Sequence, residues 1–273
     1  MTLFEALTAA RQHIDRLDAR LLLQYATGCT HTDLLARPET PVIAPAYAQF
    51  AAWVTRRAAG EPLAYLVGEA EFRGRVFQVS PDVLIPRPET EVLIELALEN
   101  LRDRAKPRVL DLGTASGIIA ISLALECPAA QIVAVDLSEA AISVAQTNAG
   151  RLGARIDFRR SDWFTELSGE RFDLIVANPP YIAEGDPHLE LNGLPFEPRL
   201  ALTDQIENGT GLACIERIVA EAPAHLQPSG ALFFEHGYDQ GPASRNLLAA
   251  AGFKAPFTHP DLAGIDRVSG AFL

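Results

Sequence analysis

The sequence predicts an α/β protein, a mostly parallel sheet covered by helices and preceded by a small all-helical segment. Two patterns carry that expectation. From about residue 105 onward, short apolar runs alternate with helix-length segments, as repeated strand–helix units require. Before about residue 70, apolar residues recur only at helical spacing. At 273 residues and 48% hydrophobic content, the chain has material for more than one core.

The N-terminal segment starts with Thr2 followed by Glu5, a capping-box pair, and then Leu3, Leu7, Ala10, Ile14 and Leu17. Asp18 is expected to open a second helix ending near Gly28, and Pro38, Pro41 and Pro45 break the chain before a helix over 46–59. Such short helices bury their apolar faces only against one another, which predicts a bundle over residues 1–70. Residues 72–85, with turn signals at Gly74 and Ser80-Pro81, read as a β-hairpin in a linker spanning 71–88. A helix over 90–104 opens the domain assigned to 89–273.

Within that domain the expected strands are 108–112, 131–135, 156–160, 172–177 and 231–235, with 267–272 as an antiparallel edge. Helices are expected over 116–126, 138–150, 211–226 and 241–251. The run Phe172 to Ala177 is apolar enough for burial on both faces.

Composition narrows the function. Lys and Arg total 23 against 35 Asp and Glu, a formal charge of -12, and only Lys106 and Lys254 are lysines. Such a chain repels a phosphate backbone overall, so a protein or small-molecule partner is expected rather than direct nucleic-acid binding. Cys29, Cys127 and Cys214 are widely spaced, which suits a reducing cytoplasm. The opening lacks a basic region followed by an apolar core, and no run reaches eighteen apolar residues, so neither a signal peptide nor a membrane span is expected. Asn208-Gly209-Thr210 matches a glycosylation acceptor that has no meaning in the cytoplasm. His13, His31, His188, His225, His236 and His259 form no ligand spacing, and no metal is expected. His188 reads equally as a shaper of the substrate opening or as a surface residue.

Three loops carry the chemistry. Asp111-Leu112-Gly113-Thr114-Ala115-Ser116-Gly117 joins a strand to a helix through a turn where Gly113 suits positive φ and backbone approaches a ligand closely. Ala115 spoils the dinucleotide glycine pattern, and the turn alone is weak evidence. Asp136 ends the next strand, where a carboxylate can accept from both hydroxyls of a ribose, although it is equally read as the start of a helix. The pair points to a nucleoside without separating a nicotinamide dinucleotide from S-adenosylmethionine.

Asn178-Pro179-Pro180-Tyr181 makes that separation. It directly follows the strand expected to be buried on both faces, at the carboxyl end where ligands of open α/β sheets bind. A planar amide or exocyclic amine is a poor nucleophile. The Asn178 side-chain oxygen and the Pro179 carbonyl can accept its two N–H groups and gain strength as positive charge grows on nitrogen. Tyr181 can lie against the planar group. Asp162 is placed to accept from an adenine amino group, with Trp163 or Phe164 beside the ring, and Asp111 to face the methionine end of the cofactor. Each also reads as an ordinary loop acid or strand cap.

With these motifs in hand the chain resembles, over nearly its full length, the bacterial peptide chain release factor glutamine methyltransferases. The resemblance lies in Pro62 to Gly68, Leu84 to Glu91, Asp111 to Gly117, Asn178 to Tyr181, Phe196-Glu197-Pro198, Glu235-His236-Gly237, and Asp261 to Gly264 with Arg267. It implies a Rossmann-like class I methyltransferase fold with a mostly parallel seven-stranded sheet. It also implies transfer of a methyl group from S-adenosylmethionine, with S-adenosylhomocysteine as product, to N5 of the glutamine in the Gly-Gly-Gln loop of release factors 1 and 2. By the same resemblance, Asn178, Pro179, Pro180 and Tyr181 are catalytic and bind substrate, bordered by Arg87 and Pro88. Asp111, Gly113, Thr114, Ala115, Gly117, Asp136, Asp162, Trp163 and Asn178 hold the cofactor, and the N-terminal bundle helps seat the factor. The enzyme is expected to act as a monomer. Methylation of a ribosomal protein glutamine and, below it, of DNA adenine are the competing readings.

Overall fold

The computed structural model describes residues 1–207 and 209–273; Asn208, which opens the acceptor pattern, lies outside them. Contacts divide the chain into two units, one of Met1–Glu69 with Glu190–Phe196, the other of Ala70–Leu189 with Glu197–Leu273.

The first unit is a bundle of α1 (Leu3–Ala10), α2 (Arg16–Thr27), α3 (His31–Ala36), α4 (Ala44–Ala58) and α5 (Leu63–Val67). Thr2 and Glu5 close the expected capping box on α1. Helix α2 begins earlier than Asp18, because Asp15 accepts the Leu17 N–H at 2.7 Å and caps the helix; Gly28 ends it in the left-handed region. Helices α3 and α5 are too short for periodicity to announce, though Thr30 and Asp33 form a second capping box. Leu3, Ala6, Leu22, Leu23, Phe50, Val54 and Leu66 make the core. Truncating Leu22 to alanine there should destabilise the bundle by about 2–5 kcal/mol.

The second unit starts with a hairpin of β1 (from Glu69 to Phe72) and β2 (Arg75–Gln78). This corrects the 72–85 placement. Arg73 and Gly74, at φ 51° and 70°, form a two-residue turn, and its arms extend equally to either side. Ser80-Pro81 leads into a turn instead, with Val83 N–H on the Ser80 carbonyl at 3.1 Å.

There follow α6 (Thr90–Leu101), β3 (Arg108–Leu112), α7 (Ile118–Glu126), β4 (Gln131–Asp136), α8 (Glu139–Leu152), β5 (Asp157–Arg160), β6 (Phe172–Ala177), β7 (Ile182–Glu184), α9 (Arg199–Leu202), β8 (Thr203–Glu207), α10 (Ala213–His225), β9 (Leu226–Glu235), α11 (Gly241–Ala250), β10 (Lys254–Pro260) and β11 (Asp266–Phe272). Helix α6 stops at Leu101 rather than Arg104, whose guanidinium turns away to Asp173 and the Ser229 carbonyl, each at 2.9 Å.

Seven strands form one sheet in the order β10-β11-β9-β6-β3-β4-β5. Strands β9, β6, β3, β4 and β5 pair in parallel, and β11 pairs antiparallel with both neighbours. The strand expected at the edge therefore lies inside it, because β10, absent from the sequence reading, forms the edge. Its segment KAPFTHP carries two prolines and weak alternation, which hides a strand and suits an edge. A second strand pair, β7 with β8, was also not anticipated.

Alternation sorts the sheet's side chains onto two faces. Val109, Leu174 and Val176 pack with α6 and α7, while Leu110, Leu112, Ile175 and Ala177 pack beneath α10. Each large side chain fully buried in this way stabilises the sheet by about 1.5–3 kcal/mol.

Candidate active site

Register decides which loops meet. Leu112 at the end of β3 lies opposite Val135 of β4 and Ala177 of β6, and Ala177 lies opposite Phe234 of β9. One residue further on are Gly113, Asp136, Asn178 and Glu235, so these neighbours share the carboxyl edge of the sheet.

The glycine-bearing turn folds over this edge. Gly113 and Thr114 both donate their N–H to the Val135 carbonyl, at 2.9 Å each. Gly113, Ala115 and Gly117 have φ of 72°, 48° and 85°. Ala115 thus holds a conformation that glycine takes freely and that costs alanine about 1 kcal/mol. The Asp136 carboxylate secures it, accepting the Ala115 N–H at 2.9 Å and the Ser138 N–H at 2.9 Å. Burial raises the Asp136 pKa, opposed by backbone donors of Ser138, Ala115 and Leu137.

Asp111 is fully buried beneath the turn. One oxygen accepts from Thr114 Oγ at 2.7 Å and from the Ala120 N–H at 3.2 Å; the other meets no partner among the described residues. Burial pushes this carboxyl up to about 7, with the Thr114 and Ala120 donors opposing.

Beside the turn lies a cavity of about 780 Å³, counting the solvent at its mouth. Gly113, Ala115, Asp136, Asp162 and Trp163 line one part of it, Asn178, Pro180, Leu200, Thr203 and Cys214 another. A ring edge of Trp163 lies 3.6 Å from where a β-carbon on Gly113 would sit, so the indole packs in van der Waals range of the turn. Phe164 is turned away, buried and stacked on His225 at 4.6 Å. Of the two aromatic candidates for the ring, Trp163 is the one at the cavity. Asp162 reaches the cavity with one oxygen on Arg217 at 2.8 Å. Thr114 and Gly117 shape the turn without lining the cavity. A cavity lined by an indole, the carboxylates of Asp136, Asp162 and Asp204, and a small-residue turn suits a nucleoside cofactor.

The tetrad is held from outside its own loop. Asn178 Nδ2 donates to Thr90 Oγ at 3.2 Å, Thr90 Oγ donates to Glu235 Oε2 at 2.7 Å, and the Tyr181 hydroxyl donates to Glu235 Oε1 at 3.1 Å. Burial raises the Tyr181 pKa, and the adjacent Glu235 carboxylate adds to the shift. Gln240 Nε2 donates to the Tyr181 carbonyl at 3.0 Å. Gly211, at φ 73°, passes so close that a β-carbon there would stand 2.2 Å from the Tyr181 carbonyl oxygen. Pro179 is buried, and neither it nor Tyr181 belongs to the cavity lining.

Arg87 and Pro88 also lie outside that lining. The Arg87 guanidinium pairs with buried Glu197, whose other oxygen accepts the Ile85 N–H at 3.0 Å. His188 is exposed and bonded to Asp186 at 2.7 Å, as a surface residue would be. Among the described residues no group of three or more His, Cys, Asp or Glu side chains is placed to hold a metal ion.

Sequence reasoning gave no role to Thr90, Glu197, Glu235, Gly211 or Gln240. Thr90, Glu197 and Glu235 stood inside resembling stretches, yet nothing local tells that Thr90 and Glu235 share a hydrogen bond.

Known proteins resemble this chain in both sequence and fold. A family described as PrmC N-terminal domain matches residues 3–68, and one described as methyltransferase small domain matches residues 90–192. Among solved structures, a methyltransferase from Pyrococcus furiosus superposes with a TM-score of 0.53 at 16% identity, covering 80% of this chain and 95% of that one. A SAM-dependent methyltransferase from Agrobacterium tumefaciens does so at 0.51 and 16%, covering 75% and 69%. These share the fold. Among curated relatives, the release factor glutamine methyltransferase of Bordetella pertussis is 51% identical with both chains fully covered. That of Burkholderia pseudomallei is 51% identical over 95% of this chain and 93% of its own. That of Pseudomonas aeruginosa is 46% identical over 93% and 91%. Identity at this level, sustained from end to end, places the chain in the family of bacterial release factor glutamine methyltransferases.

Proposed function

We propose that this enzyme transfers a methyl group from S-adenosylmethionine to N5 of the glutamine in the Gly-Gly-Gln motif of release factors 1 and 2. The observation that carries the chemistry is the fixed polarity of Asn178. Its nitrogen is committed to Thr90, so its oxygen is the end left for a ligand in the cavity.

The cofactor, when bound, supplies a methyl carried on a positively charged sulfur. The turn of Gly113 to Gly117, with Asp136, Asp162 and Trp163, would hold it, and Asp111 supports the turn from below. The residues of the tetrad act on the substrate. Asn178 Oδ1 and the Pro179 carbonyl accept the two amide hydrogens and align the nitrogen. Both acceptors strengthen as that nitrogen acquires positive charge, so they favour the transition state over the ground state. Tyr181, its hydroxyl tied to Glu235, presents its ring to the planar amide and excludes water. No residue has to remove a proton before transfer, since the nitrogen becomes acidic only afterwards.

The N-terminal bundle would seat the release factor, with Arg87 and Pro88 bordering the opening. The activity belongs to the cytoplasm, where its substrate works; no helix among the described residues is long and apolar enough to cross a membrane. Incubation with purified release factor and methyl-labelled cofactor, followed by mass-spectrometric mapping, is expected to place one label on the Gly-Gly-Gln glutamine. Label on a ribosomal protein or on duplex DNA, with none on the factor, would overturn the proposal.

A further inference from the structure

We infer that Glu235, acting through Thr90, is a positioning residue that sets which end of the Asn178 amide faces the substrate. This rests on the functional reading above and adds to it the reason the amide does not turn over.

An asparagine amide is nearly symmetric in shape, and only its partners decide where its oxygen goes. Glu235 sits at the end of β9, only 1% exposed. Ionised, its carboxylate only accepts, and it receives two hydroxyls, Thr90 at 2.7 Å and Tyr181 at 3.1 Å. Burial, the largest influence, raises the Glu235 pKa and the charge of Glu89 adds to the rise, while the Thr90 and Tyr181 donors and the positive charge of Arg267 oppose it.

The rest follows from counting hydrogens. A threonine hydroxyl has one proton, and that of Thr90 is committed to Glu235. Toward Asn178 the hydroxyl offers only a lone pair, which an amide N–H can meet and an amide oxygen cannot. The Asn178 nitrogen therefore faces Thr90, at 3.2 Å, and the oxygen faces the ligand side. A reversed amide would set two oxygens against each other beside Thr90 and present a donor to a substrate that itself brings donors. Thr90 is fully buried, so bulk solvent does not reach its hydroxyl. One carboxylate thus orients both the acceptor and the aromatic member of the tetrad, although Glu235 and Thr90 are 145 residues apart.

The test combines nuclear magnetic resonance with kinetics. In the 15N-labelled protein, the Asn178 side-chain amide should show protected, resolved protons. Thr90→Val, which keeps the shape and removes the lone pair, should shift and deprotect them. Glu235→Met, which frees the Thr90 proton to turn toward Asn178, should do the same. Thr90→Ser should restore the wild-type signal. In turnover, kcat should fall at least about tenfold in Thr90→Val and Glu235→Met and stay within about threefold in Thr90→Ser, with cofactor Kd unchanged throughout. Retained cofactor affinity also certifies folding.

An Asn178 signal that ignores both Thr90→Val and Glu235→Met, or full turnover in either, overturns the inference. If the wild-type enzyme labels no release factor glutamine, the functional reading fails, while the amide signal still decides the inference.

Discussion

The two halves of the cleft are built in different ways. The half assigned to the cofactor is made of short-range parts: a turn from Gly113 to Gly117, its neighbour Asp136, and the loop of Asp162 and Trp163, each at the end of a parallel strand. The half assigned to the substrate uses one short motif, Asn178 to Tyr181, held by Thr90 from the start of α6, Glu235 from the end of β9, and Gly211 and Gln240 from later loops. Binding a nucleoside needs backbone amides and carboxylates at strand ends, which any such sheet offers. Aligning an unreactive amide needs side chains locked from several directions.

Breaking the lock should cost turnover, and breaking the turn should cost affinity. Among the residues that hold the tetrad from outside, the largest effect is expected at Gly211. A β-carbon 2.2 Å from the Tyr181 oxygen cannot be accommodated without moving the tetrad, so Gly211→Ala should lower transfer by about a hundredfold. Initial rates alongside calorimetric cofactor binding check this, since affinity should stay near wild type. Asp136→Asn addresses the other half. It removes a charged acceptor and should weaken cofactor binding about ten- to a hundredfold, seen as a raised Kd with kcat at saturation little altered.

Asp111 sharpens the comparison through pH. Its carboxyl is pushed up to about 7 from an ordinary 3.8. Between those values the folded state keeps a proton that the unfolded chain releases, so stability falls as pH rises through the window and levels off above it. Asp111→Asn should flatten that fall and stabilise the protein by about 1–2 kcal/mol at pH 8, less than the full shift because the new amide must find its own partners. Urea midpoints at pH 5 and pH 8 measure it. Ala115→Gly should do least, since relief of the left-handed conformation is offset by glycine's extra backbone entropy, leaving a change of about 0.5 kcal/mol or less in thermal unfolding.

The same contrast explains what could be read from sequence. The parallel strands were legible because Arg108–Leu112, Gln131–Asp136 and Phe172–Ala177 are short apolar runs, and their ends placed Gly113, Asp136 and Asn178 together. Strand β10 was not, because Pro256 and Pro260 interrupt its alternation, and the hairpin slipped because Ser80-Pro81 marks a separate turn just beyond its second arm. Trp163 could be told from Phe164 only by the fold, which buries one and turns the other to the cavity. Thr90 and Glu235 carry no local mark at all, for their meaning is a contact and not a pattern.

Asn178→Ala puts the division of labour to its most direct test, with single-turnover methyl transfer and cofactor Kd measured on the same preparation. Transfer to the release factor glutamine should fall by about a hundredfold or more while Kd stays within about threefold. Undiminished transfer, or a rate that recovers fully when more cofactor is supplied, would contradict it.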